Sequence, residues 1–410
     1  MSEQISSKLV TYAVFLFTLG IIGISIVSIS FPAFIITSTY DYSIEIDPFE
    51  VSPWLTPIII STVILLSIGF LYLKKKLPCV IYSSIEYILN FEISKKVAII
   101  IGLVILSVYI GFSIPELFLD ESEQWSDYSI LVNALEIWPS TDSMNVYVKE
   151  QNTRYVRMIL LDFSQEFFQN IKILPFTASI LTVVFTALIA IQISKKRLAG
   201  IIAMIVLLQS VTFTDFDTIA VYENFWVLFY LISIYLINKR WWHTSPIAFL
   251  LSIFTKAFTA TYFWMNLFFI YRSEIPKKSK LILFGSYAVA VSIMYLIFDS
   301  GRSIIYDDII RYDFNAFLDG FTGWGNSMQL DPLIVLCILP LTVGLFIKSL
   351  KGLKQADSIL LILAGSILAG PLISLITDFY LILPYRIIPF VIFTAIGIGI
   401  IFSKKKTNLE

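Results

Sequence analysis

The residues best suited to chemistry lie where apolar runs stop or break. Glu116-Leu117-Phe118-Leu119-Asp120-Glu121-Ser122-Glu123 places four carboxylates at the end of a hydrophobic stretch. At the rim of a low-dielectric region a carboxylate gains proton affinity and can act as a general base toward a hydroxyl. Paired acids such as Asp120 and Glu121 can also hold a divalent cation. A solvated acidic loop that merely fixes topology has the same composition, so both readings stand. Thr214-Asp215-Phe216-Asp217 forms a second acidic turn, made either of ordinary turn residues or of further site acids. Glu223, in Val221-Tyr222-Glu223-Asn224-Phe225, falls about one turn inside the following apolar run. There it marks a functional site or a hydrogen bond to a neighbouring helix. Lys256, in Phe254-Thr255-Lys256-Ala257, sits mid-run, a costly position unless it meets water or a partner. Arg302, Arg311 and Arg386 are among the few cations near acidic segments, and arginine suits bidentate phosphate contact. Arg302 and Arg311 are also placed to pair with Asp307 and Asp308. Arg386, in Leu383-Pro384-Tyr385-Arg386-Ile387-Ile388-Pro389, also fits a snorkelling interfacial residue.

The elements holding these residues follow from composition. Of 410 residues, 57% are hydrophobic and 14% charged. A soluble domain carries roughly 25% charged residues, so this chain has too little charge to coat a water-exposed surface. That excludes a soluble enzyme, a disordered chain and a secreted disulfide scaffold. Membrane β-strands would alternate in polarity, whereas these apolar residues come in runs. The fold class is therefore all-α and polytopic. The runs predict helices near 9–30, 54–73, 97–118, 173–193, 199–213, 218–237, 245–271, 281–298, 332–349, 358–377 and 380–402. Cys79 and Cys337 make no disulfide framework, and the single His243 leaves no multi-histidine metal site. A net charge of −1 points to no nucleic-acid partner.

Charge distribution sets the topology. Basic clusters at 74–76, 95–96, 195–197, 239–240, 277–280, 348–354 and 404–406 alternate with acidic segments at 38–53, 119–172, 214–217 and 299–331. The positive-inside rule puts the basic side in the cytoplasm. The 245–271 run breaks the alternation unless it is two short segments turning near Lys256, and such interruptions usually line a cavity. The expected topology is about twelve passes in the plasma membrane, with both termini cytoplasmic. Residues 1–96 supply two leading spans and a cytoplasmic loop, and 97–402 form the main body. Outer loop 119–172 should carry an interfacial helix whose stripe of Tyr128, Leu131, Leu135 and Trp138 faces the bilayer. Pro139 ends it, and a second amphipathic stretch covers 158–168. In outer loop 299–331, Gly320, Gly323 and Gly325 predict a folded loop rather than a helix.

The order of these features resembles the GT-C superfamily of polyprenyl-phosphate-dependent glycosyltransferases, especially the protein-mannosyltransferase and aminoarabinose-transferase-like branch. A span exits into a long outer loop opening with Asp-Glu. A basic turn at Lys195-Lys196-Arg197, the short acidic turn, a Glu-containing span, a short span ending in Thr255-Lys256 and a late Tyr385-Arg386 span follow. The resemblance covers about 97–402. It implies that Asp120 is the general base for the acceptor, supported by Glu121. It implies that Asp215 or Asp217 is the second-loop acid and that Lys256 lies near the donor phosphate. Arg386 would steady the leaving polyprenyl phosphate. The implied donor is a polyprenyl-phosphate-linked sugar in the membrane, the acceptor a protein, glycan or lipid, and the transfer inverting. Arg302 is a further candidate for the donor phosphate, and Glu223 a further supporting acid. A transporter or lipid flippase, or a non-catalytic relative, is the competing reading. It would use Glu223 and Lys256 as intramembrane polar groups and the broken segment as a gate.

Overall fold

The computed structural model describes residues 2–39, 47–122, 124–140, 145, 147–148, 151, 154–300, 312–376 and 384–403. Glu123, Arg302, Arg311, Asp307 and Asp308 lie outside the described residues. The described residues are helical, without strands. Among the described residues, eight helices are long and apolar enough to cross a membrane, and Arg197–Leu208 and Phe225–Ile237 are shorter apolar helices. This is an all-α integral membrane protein. The chain divides into two compact units.

The first unit comprises residues 1–99, 190–212 and 308–410. It contains α1 (Ser2–Ser30), α2 (Pro32–Thr39), α3 (Leu55–Leu73) and α4 (Cys79–Asn90). The start of α5 (Lys95–Ser113) and the end of α8 (Ile173–Ser194) belong to it, as does α9 (Arg197–Leu208). It closes with α15 (Phe314–Met328), α16 (Pro332–Leu350), α17 (Gln355–Ile376) and α18 (Ile388–Ile401). α1 packs against α15, α16 and α17. In apolar surroundings, helices associate through close packing and hydrogen bonds rather than the hydrophobic effect. The Thr11 hydroxyl accordingly donates to Asp357 at 2.9 Å and lies 3.2 Å from the Ser349 hydroxyl. Ser28 donates to the Phe321 carbonyl.

The expected loop at 299–331 is corrected here: residues 314–328 form helix α15, opened by Asp313, whose carboxylate accepts from the Asn315 and Ala316 amides. Its glycines serve close helix crossing rather than turns. A Cβ on Gly320 would stand 2.7 Å from the Pro371 backbone, and one on Gly325 would stand 2.6 Å from the Ser28 hydroxyl. Across the same contact, Trp324 occupies the space a side chain on Gly370 would need. α4 was not foreseen, because a 12-residue stretch with two serines, a glutamate and an asparagine gives a weak apolar signal.

The second unit comprises residues 100–189 and 213–307. It holds most of α5 and α8 and most of α10, a single turn at Val211–Asp215, with α6 (Asp127–Ile137) and α7 (Tyr155–Phe168). It also holds α11 (Phe225–Ile237), α12 (Ser245–Thr255), α13 (Phe263–Arg272) and α14 (Lys277–Ser300). Pro115 ends α5, and the chain continues as a tighter 3₁₀ turn over Ile114–Phe118. The expected span at 218–237 begins only at Phe225. Residues 216–221 are instead buried without regular structure. The 245–271 run does break at Lys256, whose backbone is extended between α12 and the 3₁₀ turn Ala257–Tyr262. On α6, Leu131 is wholly buried by protein, so the proposed stripe does not face the bilayer as a whole. α7 is two-faced: Arg157, Met158, Leu161 and Ser164 point inward, while Ile159, Phe163 and Phe167 are exposed.

A candidate active site at the acidic turns

Buried irregular backbone must find hydrogen-bond partners, because neither lipid nor apolar side chains supply any. In the second unit, charged and polar side chains meet that demand along residues 216–221. The Glu121 carboxylate accepts the Ala220 amide at 2.7 Å and the Val221 amide at 3.3 Å. From the other side, the Arg157 guanidinium donates to the Val221 carbonyl at 2.7 Å and the Ala220 carbonyl at 3.3 Å. One pair of peptide units is thus gripped by an acid on its N–H groups and a base on its carbonyls. Ser179 donates to the Asp217 carbonyl at 2.7 Å, and the Asn224 amide reaches Phe216.

The clamp charges balance locally. Arg157 Nε lies 2.8 Å from Glu223, both side chains nearly inaccessible. Arg157 also bonds Gln151. Lys172 Nζ sits 3.6 Å from Glu121 and donates to the carbonyls of Glu116 and Leu119 at 2.9 and 2.8 Å. Lys172 is brought there by the sharp end of α7, where Gln169 adopts a left-handed conformation, and Asn170 donates to the Leu117 carbonyl. Trp125 packs on Phe216 and edge-on to Tyr222, whose hydroxyl bonds Asp127. The acidic segment after α5 and the second acidic turn are therefore one framework. Arg157 and Lys172 are among the scarce cations that the sequence offers for a phosphate; here they hold backbone carbonyls and carboxylates instead. Their positions beside buried faces of α7 and α8 were the available signal for that role.

This framework separates the two acids that the sequence treats as a pair. Glu121 is buried, and both its oxygens are taken by backbone amides. Burial pushes its carboxyl above the ordinary range against the opposing pull of the Ala220 amide and Lys172. Asp120 faces outward. Its carboxylate accepts the Ser122 amide at 2.9 Å and the Ser122 hydroxyl at 2.7 Å, and these bonds hold its carboxyl below the ordinary range. Phe118 and Leu119, both exposed, directly precede it. An ionised carboxylate is thus presented on a braced turn beside an apolar rim. Glu121 is committed to backbone, whereas Asp120 is exposed. Among the described residues, no group of three or more His, Cys, Asp or Glu side chains is arranged to hold a metal ion.

The second turn divides in the same way. Asp215 is exposed, and Asp217 is buried. One Asp217 oxygen accepts the Ser113 hydroxyl at 3.0 Å, the Tyr109 hydroxyl faces the carboxylate, and the other oxygen has no hydrogen-bond partner. Burial raises the Asp217 carboxyl from 3.8 to about 7, with the nearby Glu116 charge adding to the rise. Glu223 lies just before α11 rather than a turn inside it, a correction that makes it part of the clamp. Burial pushes its carboxyl up, and Arg157 followed by Lys256 pull it back. Lys256 Nζ lies 5.3 Å from the Trp226 ring centre. Around the break Thr255, Thr259 and Tyr262 are buried and Ser252 donates to the Trp226 carbonyl at 2.6 Å, while Lys256 is half-buried and Ala257 exposed.

Comparison with protein-family models, with curated proteins and with solved structures gave no match. Function must be argued from the residues themselves. In the first unit, Arg386 stacks on Tyr385, with Nε 3.1 Å from the Tyr385 hydroxyl. One terminal nitrogen of its guanidinium is buried without a hydrogen-bond partner.

Proposed function

We propose that this protein is an integral membrane glycosyltransferase of GT-C type. It moves a sugar from a polyprenyl-phosphate donor to an acceptor on the outer membrane face. The reading takes the chain as about twelve passes in the plasma membrane with cytoplasmic termini. The observation that carries it is the division of labour at Asp120 and Glu121: a structural acid holds the turn, and an ionised acid is offered at an apolar rim that a lipid-linked donor can reach.

The chemistry follows from that placement. The acceptor hydroxyl oxygen bonds to the anomeric carbon from the face opposite the phosphate, and the carbon–oxygen bond to phosphate breaks. The electron pair leaves with the polyprenyl phosphate, and the configuration inverts. Asp120 is a weak base at rest, because Ser122 stabilises its charge. It takes the hydroxyl proton late, once bond formation has acidified it. Charge grows on the leaving phosphate, so a cation near it stabilises the transition state more than the ground state. Lys256 has that role here. The resemblance also assigns Arg386 to the leaving phosphate, and the Arg386→Ala variant tests that assignment separately.

A transporter reading draws on the buried Asp217 and the broken helix at Lys256. Donor binding separates the two. Polyprenyl phosphate and polyprenyl-phosphate hexose are titrated against the purified full-length protein in nanodiscs. The glycosyltransferase reading expects both lipids to bind and Lys256→Ala to weaken them about tenfold, the scale of one charge-assisted contact. Absence of binding by either lipid removes the reading and leaves transport as the next hypothesis.

A further inference from the structure

Helix α4 and its flanks carry a second surface. α4 joins α3 to α5, both long and apolar enough to span, so the chain linking their ends runs along one membrane surface. None of its residues is buried, and Val80, Ile81, Tyr87, Ile88 and Phe91 at its end are exposed apolar side chains. Five exposed lysines flank it: Lys74, Lys75 and Lys76 before, Lys95 and Lys96 after. Within the helix the only charge is Glu86, which accepts the hydroxyls of Tyr72 and Tyr82 and the Asn90 amide.

The neighbouring basic cluster is used differently. Lys196 is buried and donates to the Leu89 and Ile88 carbonyls at 2.8 and 3.3 Å, capping the C-terminal end of α4. Arg197 bonds the Ile93 carbonyl and pairs with Glu92. The fold thus consumes two cations to fix α4 in place and leaves the five lysines outward. Apolar side chains between basic ends are the composition of a helix that lies in a bilayer interface and attracts anionic headgroups.

We infer that α4 and its five flanking lysines form an interfacial site selective for anionic phospholipid. The apolar side chains enter the upper acyl region, and the lysines meet headgroup phosphates. An open cleft of about 480 Å³ runs along the helix, lined by Tyr82, Tyr87 and Phe91 together with Ser83, Glu86 and Asn90, a mixed edge suited to the boundary between headgroup and acyl chain. This inference is independent of the glycosyltransferase reading.

The exposed Cys79 at the start of α4 provides the probe. The full-length Cys337→Ala protein is labelled there with an environment-sensitive dye and reconstituted in phosphatidylcholine. Spin-labelled phosphatidylglycerol or spin-labelled phosphatidylcholine is added at equal mole fraction, and dye quenching is compared. The expected result is quenching at least about twofold greater for phosphatidylglycerol. The preference should vanish when salt rises from about 0.1 M to 1 M, which shortens screening from about 10 Å to about 3 Å. It should also vanish when the five lysines become Gln, and persist when they become Arg. Equal quenching at low salt, a preference unchanged by the Gln variant, or no quenching by either lipid would each overturn the inference. The salt series on the unaltered lysines keeps the test decisive where the Gln variant inserts poorly.

Discussion

Asp120 and Glu121 are adjacent in sequence and opposite in role. The sequence shows two acids at a membrane exit. Which one is spent on backbone depends on residues 220–221, a hundred positions away. Glu121→Ala leaves Lys172 without its carboxylate and two amides unpaired. Breaking such a buried pair costs roughly 3–5 kcal/mol. Asp120→Asn keeps the exposed turn and should change stability by less than about 0.5 kcal/mol. Thermal unfolding in detergent distinguishes the two, and equal losses would contradict the division of labour. Asp217 gives a pH signature. Its carboxyl rises from 3.8 to about 7 in the fold, so between those values the folded chain holds a proton that the unfolded chain has released. Its contribution to stability is full below about 4, falls as pH rises, and is gone above about 7. Asp217→Asn should therefore gain on wild type as pH rises through that window, by at most on the order of 4 kcal/mol. A difference in melting temperature that stays constant with pH would contradict this.

At the scale of elements, crowding at the α15–α17 crossing fixes what glycine does there. Gly320→Ala meets the Pro371 backbone and Gly370→Ala meets Trp324. Each should cost about 1–3 kcal/mol by overpacking. Gly69→Ala, which meets nothing within 4 Å, is the control and should cost nothing. Melting temperatures check the series. These same glycines explain one error of the sequence reading, because a glycine that admits a neighbouring helix and one that admits a turn look alike in one dimension. The break at Lys256 was legible, since a lysine inside an apolar run and a violated charge alternation are both sequence properties. The start of α11 was not. Residues 218–224 are apolar enough to pass as helix, and their irregular path exists only because Glu121 and Arg157 arrive from other segments to bond their backbone.

For the molecule as a whole, the apolar runs announce an all-α membrane protein, while the arrangement of its loops depends on long-range ion pairs. The proposed topology places Cys79 and residue 122 on opposite membrane faces, since α5 lies between them. In cells, an impermeant thiol reagent should label Ser122→Cys and spare Cys79. Labelling of both from one side would contradict the topology. The central claim is that Asp120 accepts the acceptor's proton during sugar transfer. It is tested most directly by radiolabelled polyprenyl-phosphate hexose in native membranes carrying either wild type or Asp120→Asn. The account predicts equal protein levels, equal donor binding and a loss of label transfer of about 10²-fold or more in the variant, the scale of one general base. Transfer unchanged in Asp120→Asn, or no transfer above background with wild type across a panel of hexose donors, would contradict it.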